Sequence, residues 1–130
     1  VSESKLYTDI LTAHSRGPTR LARLNAGMAY QGKVIERSPH RLILAPWYPV
    51  RLAPEGWSDL IGWTSIEQPS PFSGGGGYQK FAVFVGIEGK IGRARTTPEQ
   101  DAFLETVRRM GGRAGVARSV EEAAIIINSP

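Results

Sequence analysis

The ten residues Phe81 to Lys90, FAVFVGIEGK, constrain this chain more than any other stretch. Residues 81–88 are dense in aromatic and β-branched side chains, and such a run reads as a strand. Alternate residues of a strand share a face. Val83, Val85 and Ile87 then look one way, into a layer of helix. Glu88 and Lys90 look the other way, side by side at the strand's end. A carboxylate and an ammonium make poor use of core space, because burying charge is costly. They make good use of a site.

The rest of the chain supplies a sheet and helices around that strand. Residues 3–14 are amphipathic, with Leu6, Tyr7, Ile10, Leu11 and Ala13 at helical spacing, and Arg16-Gly17-Pro18 ends the helix. Residues 20–25 read as a strand, and Asn25-Ala26-Gly27 as a turn. Residues 33–36 and 41–44 suit a short hairpin around Ser38-Pro39. Pro46, Pro49, Pro54 and Gly56 put 46–56 in a loop. Residues 58–66 read as a strand with Asp59 near its start. Residues 68–78, QPSPFSGGGGY, read as a flexible connection. Thr97-Pro98-Glu99-Gln100 combines an N-cap, a proline at the first helical position and a capping-box Gln. That helix carries Phe103, Leu104, Val107 and Met110 and stops at Gly111-Gly112. Residues 113–117 form a short strand, and Ser119-Val120-Glu121-Glu122 opens a helix through about residue 127. With the short hairpin left aside, the order α-β-β-β-α-β-α predicts an α/β fold, a central mixed sheet flanked by helices.

At 130 residues the chain has room for one domain, residues 1–130. It has no cysteine, which excludes a disulfide scaffold, a thiolate metal site and a cysteine nucleophile. His14 and His40 are the whole imidazole supply and read as structural or surface residues. No apolar run approaches a membrane span and no leader pattern is visible, so the expected location is cytoplasmic.

Net charge is +4, unevenly spread. Residues 1–51 hold eight cations and three acids, 52–88 one and four, and 89–118 seven and three. Two basic zones flank an acidic middle, an arrangement suited to a polyanionic partner around a carboxylate cluster. Twelve of the sixteen cations are arginine, the residue fitted to bidentate phosphate contact.

If the strands at 58–66 and 81–88 pair antiparallel, Asp59 and Glu88 converge. Two carboxylates and a backbone carbonyl are hard oxygen ligands, suited to magnesium. Such an ion would polarise a phosphoryl oxygen and acidify water. Lys90 would position or help deprotonate that water and offset charge on the phosphate. Taken alone, an Asp with a distant E-x-K triplet is a weak signal, and Glu88 and Lys90 equally fit a surface pair.

The run GWSDLIGW followed by FVGIEGKIGRARTTPEQDAFLETVRRMGGRAGVARSVEEA resembles the virus-type replication-repair nuclease (VRR-NUC) family of the PD-(D/E)xK superfamily. The likeness spans nearly the whole chain, including the first helix and Arg23-Leu24-Asn25. It departs from the pattern at Ser58, where the superfamily has proline, and at Gly89, where a β-branched residue is usual. The 68–78 connection is long for the family and would suit a DNA-contacting loop.

The resemblance implies a restriction-endonuclease-like fold. It makes Asp59 and Glu88 metal ligands, with the Gly89 carbonyl as a third and Glu3 of the first helix as a further acid. It makes Lys90 the catalytic lysine and Gln100 a supporting residue. Gln100 also suits a plain cap, and Glu3 suits a helix's first turn. Apart from the resemblance, Arg93 and Arg95 directly after Lys90, and Arg20 and Arg23 with nearby Asn25, are candidate DNA contacts or else a solvated face. The implied activity is a Mg2+- or Mn2+-dependent endonuclease on branched DNA such as four-way junctions. The implied assembly is a homodimer, with Val34, Ile35, Leu42, Ile43 and Leu44 as interface or core. A phage origin acting in host cytoplasm is also implied. The alternatives are a non-catalytic nucleic-acid-binding module, or a nuclease for flap, nicked or duplex DNA.

Overall fold

A computed structural model describes residues 1–24, 27–72 and 74–130. The chain is α/β, with a mixed four-stranded sheet, a separate two-stranded sheet and three helices. Helix α1 spans Glu3–His14, β1 Thr19–Arg23, β2 Met28–Ser38, β3 Arg41–Arg51, β4 Leu60–Pro69 and β5 Tyr78–Gly89. Helix α2 spans Pro98–Arg109, β6 Arg113–Ala117 and α3 Val120–Asn128.

The main sheet runs β1-β4-β5-β6. β4 is antiparallel to both β1 and β5, and β6 is parallel to β5. The β5–α2–β6 crossover follows from the local signals. Thr97 caps α2 with its side chain and Gln100 returns the bond, while Pro98 sits where no N–H is needed. Gly111 (φ +96°) then turns the chain toward β6.

β5 is an inner strand, and its C-terminal end is buried while Tyr78, Phe81 and Phe84 stay exposed. Val85 and Ile87 join Leu6, Tyr7, Ile10, Leu21, Leu60, Ala117, Ala123 and Ile127 in one core under α1 and α3. His14 locks those helices together, its ring nitrogen 2.8 Å from the Val120 carbonyl. On the opposite face Gly86 lies under Phe103 of α2, and Phe103 packs against Trp57 at 5.0 Å between ring centres.

The expected order α-β-β-β-α-β-α is short of strands. The observed order is α-β-β-β-β-β-α-β-α. The hairpin predicted at 33–36 and 41–44 extends to 28–38 and 41–51, and the predicted loop at 46–56 begins only after Arg51. Pro46 falls at the register shift between the Gly32–Trp47 and Val34–Leu44 pairs, where the ladder is interrupted, and β3 has a single partner strand, which leaves room for Pro49. Val34, Ile35, Leu42, Ile43 and Leu44 lie on this two-stranded sheet and are not core residues: none is buried. β4 and β5 reach Pro69 and Tyr78, narrowing the glycine-rich connection to a turn closed by Ser70 N–H donating to Gly77 O at 2.8 Å. Among the described residues no helix is long and apolar enough to cross a membrane.

Candidate active site

The site lies where β5 leaves the sheet. β4 and β5 pair antiparallel with Leu60 opposite Ile87, and one further step along that register sets Asp59 opposite Glu88. The start of β4 is also tied to β1's end, since Leu24 N–H donates to the Asp59 carbonyl at 2.6 Å. Lys90 is anchored on the other side by its N–H to the Ala117 carbonyl of β6.

Glu88 is 1 % exposed. Its Oε1 accepts from Gln100 Nε2 at 2.9 Å and lies 3.7 Å from Lys90 Nζ. Its Oε2 is buried and has no hydrogen-bond partner. Burial, then the negative field of Asp59, push the Glu88 carboxyl up to about 7. Lys90 and the Asp59 main chain act against that shift, and Glu3 adds to it.

Gln100 makes two contacts at once. Its Oε1 accepts from Thr97 N–H at 2.9 Å, closing the capping box, while its Nε2 holds Glu88. The cap fixes the side chain, so the amide reaches the carboxylate in one orientation.

Tyr7 gathers the remaining candidates. Its hydroxyl lies 2.5 Å from Asp59 Oδ2, 3.1 Å from the Gly89 carbonyl and 3.3 Å from Glu3 Oε1, and it accepts from Gly89 N–H at 3.1 Å. One hydroxyl carries one proton, so only one of the three acceptors receives it at a time. Asp59 has the shortest contact. Burial first, then the Asp59 hydrogen bond and the charges of Asp59, Glu88 and Glu3, hold this phenol protonated far above the ordinary tyrosine range. Arg23 stacks on the ring, its guanidinium 4.9 Å from the ring centre, and donates to Ser4 Oγ at 3.2 Å.

Tyr7 also accounts for Gly89. A Cβ at residue 89 would lie 2.5 Å from Tyr7 Cε1, closer than packing allows. A β-branched residue here is incompatible with a tyrosine in the first helix.

The structure therefore brings together Glu3, Asp59, Glu88, Gly89, Lys90 and Gln100, with Arg23 beside them. It places Arg20 elsewhere, donating to the Gly17 and Thr19 carbonyls at 2.8 Å. Arg93 and Arg95 are exposed on the connection from β5 to α2, which Arg118 braces through the Gly92 and Ala94 carbonyls. Asn25 lies outside the described residues. Tyr7 is the site residue that sequence reasoning missed. Its helical spacing marked it as core, which it is, and only the fold shows that its hydroxyl reaches Asp59.

Among the described residues no three His, Cys, Asp or Glu side chains are grouped closely enough to hold a metal ion by themselves. The oxygens gathered at the Tyr7 hydroxyl are the carboxylates of Asp59 and Glu3 and the Gly89 carbonyl. No protein-family model matches the chain, and no curated protein or solved structure matches it.

Proposed function

We propose that the chain is a metal-dependent endonuclease of the VRR-NUC type, with a restriction-endonuclease-like arrangement of its elements. The observation that carries this reading is Glu88: a buried carboxylate with an unpartnered oxygen, beside Lys90 and opposite Asp59. Oxygen-only donors around an orphaned carboxylate oxygen fit Mg2+ or Mn2+. Asp59, Glu88, the Gly89 carbonyl and Glu3 would hold the ion. Once bound, it supplies charge neutralisation at the phosphoryl group and acidifies the attacking water.

The protein's own groups do the rest. Lys90 Nζ, kept near Glu88, offsets charge building on the scissile phosphate. Gln100 fixes the Glu88 rotamer. Tyr7 keeps Asp59 aimed at the Gly89 carbonyl. The net charge of +4 supports a polyanionic substrate, and a homodimer presenting two such sites suits a four-way junction.

The test is cleavage of a labelled four-way junction beside matched linear duplex, in Mg2+, Mn2+ or EDTA. Wild type should cut the junction only with metal, and Lys90→Ala should not cut it. Binding without cleavage under every condition would replace this reading with a non-catalytic nucleic-acid-binding module. Equal cutting of both DNAs would keep the nuclease and remove its preference for branches.

A further inference from the structure

β2 and β3 stand apart from the main sheet. They pair with each other and with no other strand. Each is 11 residues long, so the ribbon extends about 35 Å. No residue of either strand is buried. A two-stranded ribbon with no covered face is marginal alone. It gains its order from whatever covers it.

Three observations identify the cover. The ribbon carries Lys33, Arg37, Arg41 and Arg51 against Glu36, three of the chain's four net positive charges. Arg41 is the cation facing Glu36, at 3.6 Å. The side chains of Lys33, Arg37 and Arg51 make no hydrogen bond or ion pair with any described residue.

Aromatic surface accompanies that charge. Tyr30 and Trp47 meet edge to face at 5.6 Å while remaining 62 % and 58 % exposed. With Leu42 and Leu44 they border an open hollow on the ribbon.

The ribbon's root also opens on the candidate site. Leu52 N–H donates to the Gly27 carbonyl at 2.9 Å, closing the root. Gly27 and Arg51 line the same cleft, about 460 Å3, as Asp59, Thr97 and Gln100.

We propose that this ribbon is a DNA-binding arm that guides a strand into the cleft. Lys33, Arg37 and Arg51 contact phosphates, and Tyr30 and Trp47 stack on bases that a branch leaves unpaired. The inference rests on the nuclease reading and names the surface that delivers its substrate. Free cations on the same ribbon as exposed aromatic faces are the combination that single-stranded nucleic acid selects. A second copy docked ribbon to ribbon would instead set like charge against like charge.

The experiment measures binding of the full chain to a fluorescent four-way junction and to matched duplex, in EDTA, between 50 and 200 mM salt. The Lys33→Ala/Arg37→Ala/Arg51→Ala variant changes only exposed side chains, and a thermal melt confirms its fold. Three lost phosphate contacts lower the log–log salt slope by about 2.7. Over this fourfold salt range the wild type's affinity advantage then shrinks about 40-fold. Trp47→Ala should weaken the junction about tenfold and the duplex little.

An unchanged slope in the triple variant, with wild type still binding and cutting, overturns the arm and leaves the nuclease standing. A wild type that binds neither DNA overturns both. If Trp47→Ala splits a dimer in sedimentation equilibrium and leaves junction affinity per protomer intact, the ribbon is a self-interface and the inference falls.

Discussion

Replacing Glu88 by glutamine should stabilise the metal-free protein, and the gain should appear only as pH rises. The carboxyl has its ordinary value of 4.5 in the unfolded chain and sits at about 7 in the folded one. Below pH 4.5 both forms are protonated and Glu88 adds no difference. Between 4.5 and about 7 the folded state holds a proton that the unfolded state has lost, so stability falls with pH. Above pH 7 both are ionised and the full penalty stands. The gap amounts to about 3 kcal/mol. It needs no discount for solvent screening, because Glu88 is 1 % exposed. Glutamine still offers an oxygen to Gln100 and carries no charge to desolvate. In a domain of this size 3 kcal/mol is about 10 °C in Tm. The assay is a pair of thermal melts, wild type and Glu88→Gln, from pH 4 to pH 8 in EDTA. Carboxylates away from the site titrate alike in both, so the difference reports Glu88 together with its coupling to Asp59 and Glu3. Variant minus wild type should rise by about 10 °C across that range. Parallel curves, or a variant less stable at pH 8, would refute the claim that Glu88 is held against its preferred charge state.

Tyr7→Phe should lower stability by about 1–3 kcal/mol in denaturant melts, since Gly89 N–H loses its buried acceptor; an unchanged midpoint would mean the hydroxyl is idle. Gly89→Ala should cost about 2 kcal/mol, because the new methyl meets the Tyr7 ring. A neutral effect would show that the ring moves aside freely. Gln100→Ala should cost about 1 kcal/mol through the lost cap, read in the same melts. It should also move the protonation of Glu88, followed by carboxyl NMR. A stability loss without that movement would reduce Gln100 to a cap.

Some of this was legible in the sequence for reasons that can be named. Thr97-Pro98-Glu99-Gln100 and Ser119 through Glu122 are local devices, so the helices they open begin where expected. Asp59 directly precedes β4 and Glu88 lies near the end of β5; the antiparallel pairing of these strands requires only a turn between them, and extending the register by one step sets the two residues opposite. The two-stranded arm was harder to read. Pro46 and Pro49 are turn signals in most settings, and only a register shift at Pro46 and the lack of a second partner strand make them harmless. Tyr7 was harder still. Its role depends on a hydroxyl meeting residues 52 and 82 positions away, which no local pattern encodes. Gly89 looked like a departure from a family pattern, and it is the complement of Tyr7.

The two functional readings differ in what they ask of Glu88. A module that only binds DNA works through exposed cations such as Lys33, Arg37 and Arg51. For such a module a buried carboxylate at about 7, with one oxygen unpartnered, is a defect worth about 3 kcal/mol. A neutral glutamine would serve its packing better. A site that holds a divalent ion turns the same carboxylate into a donor whose charge is neutralised on binding. Perturbed carboxylates concentrate in working sites for this reason. Three further arrangements converge on the same spot: a capped Gln100 aimed at Glu88, a lysine beside it, and a tyrosine joining Asp59 to the Gly89 carbonyl. Gln100 and Tyr7 also serve the fold, through the α2 cap and the Gly89 N–H, but binding DNA gives no reason for them to meet at a buried carboxylate with an unpartnered oxygen, and together these arrangements favour chemistry at the end of β5.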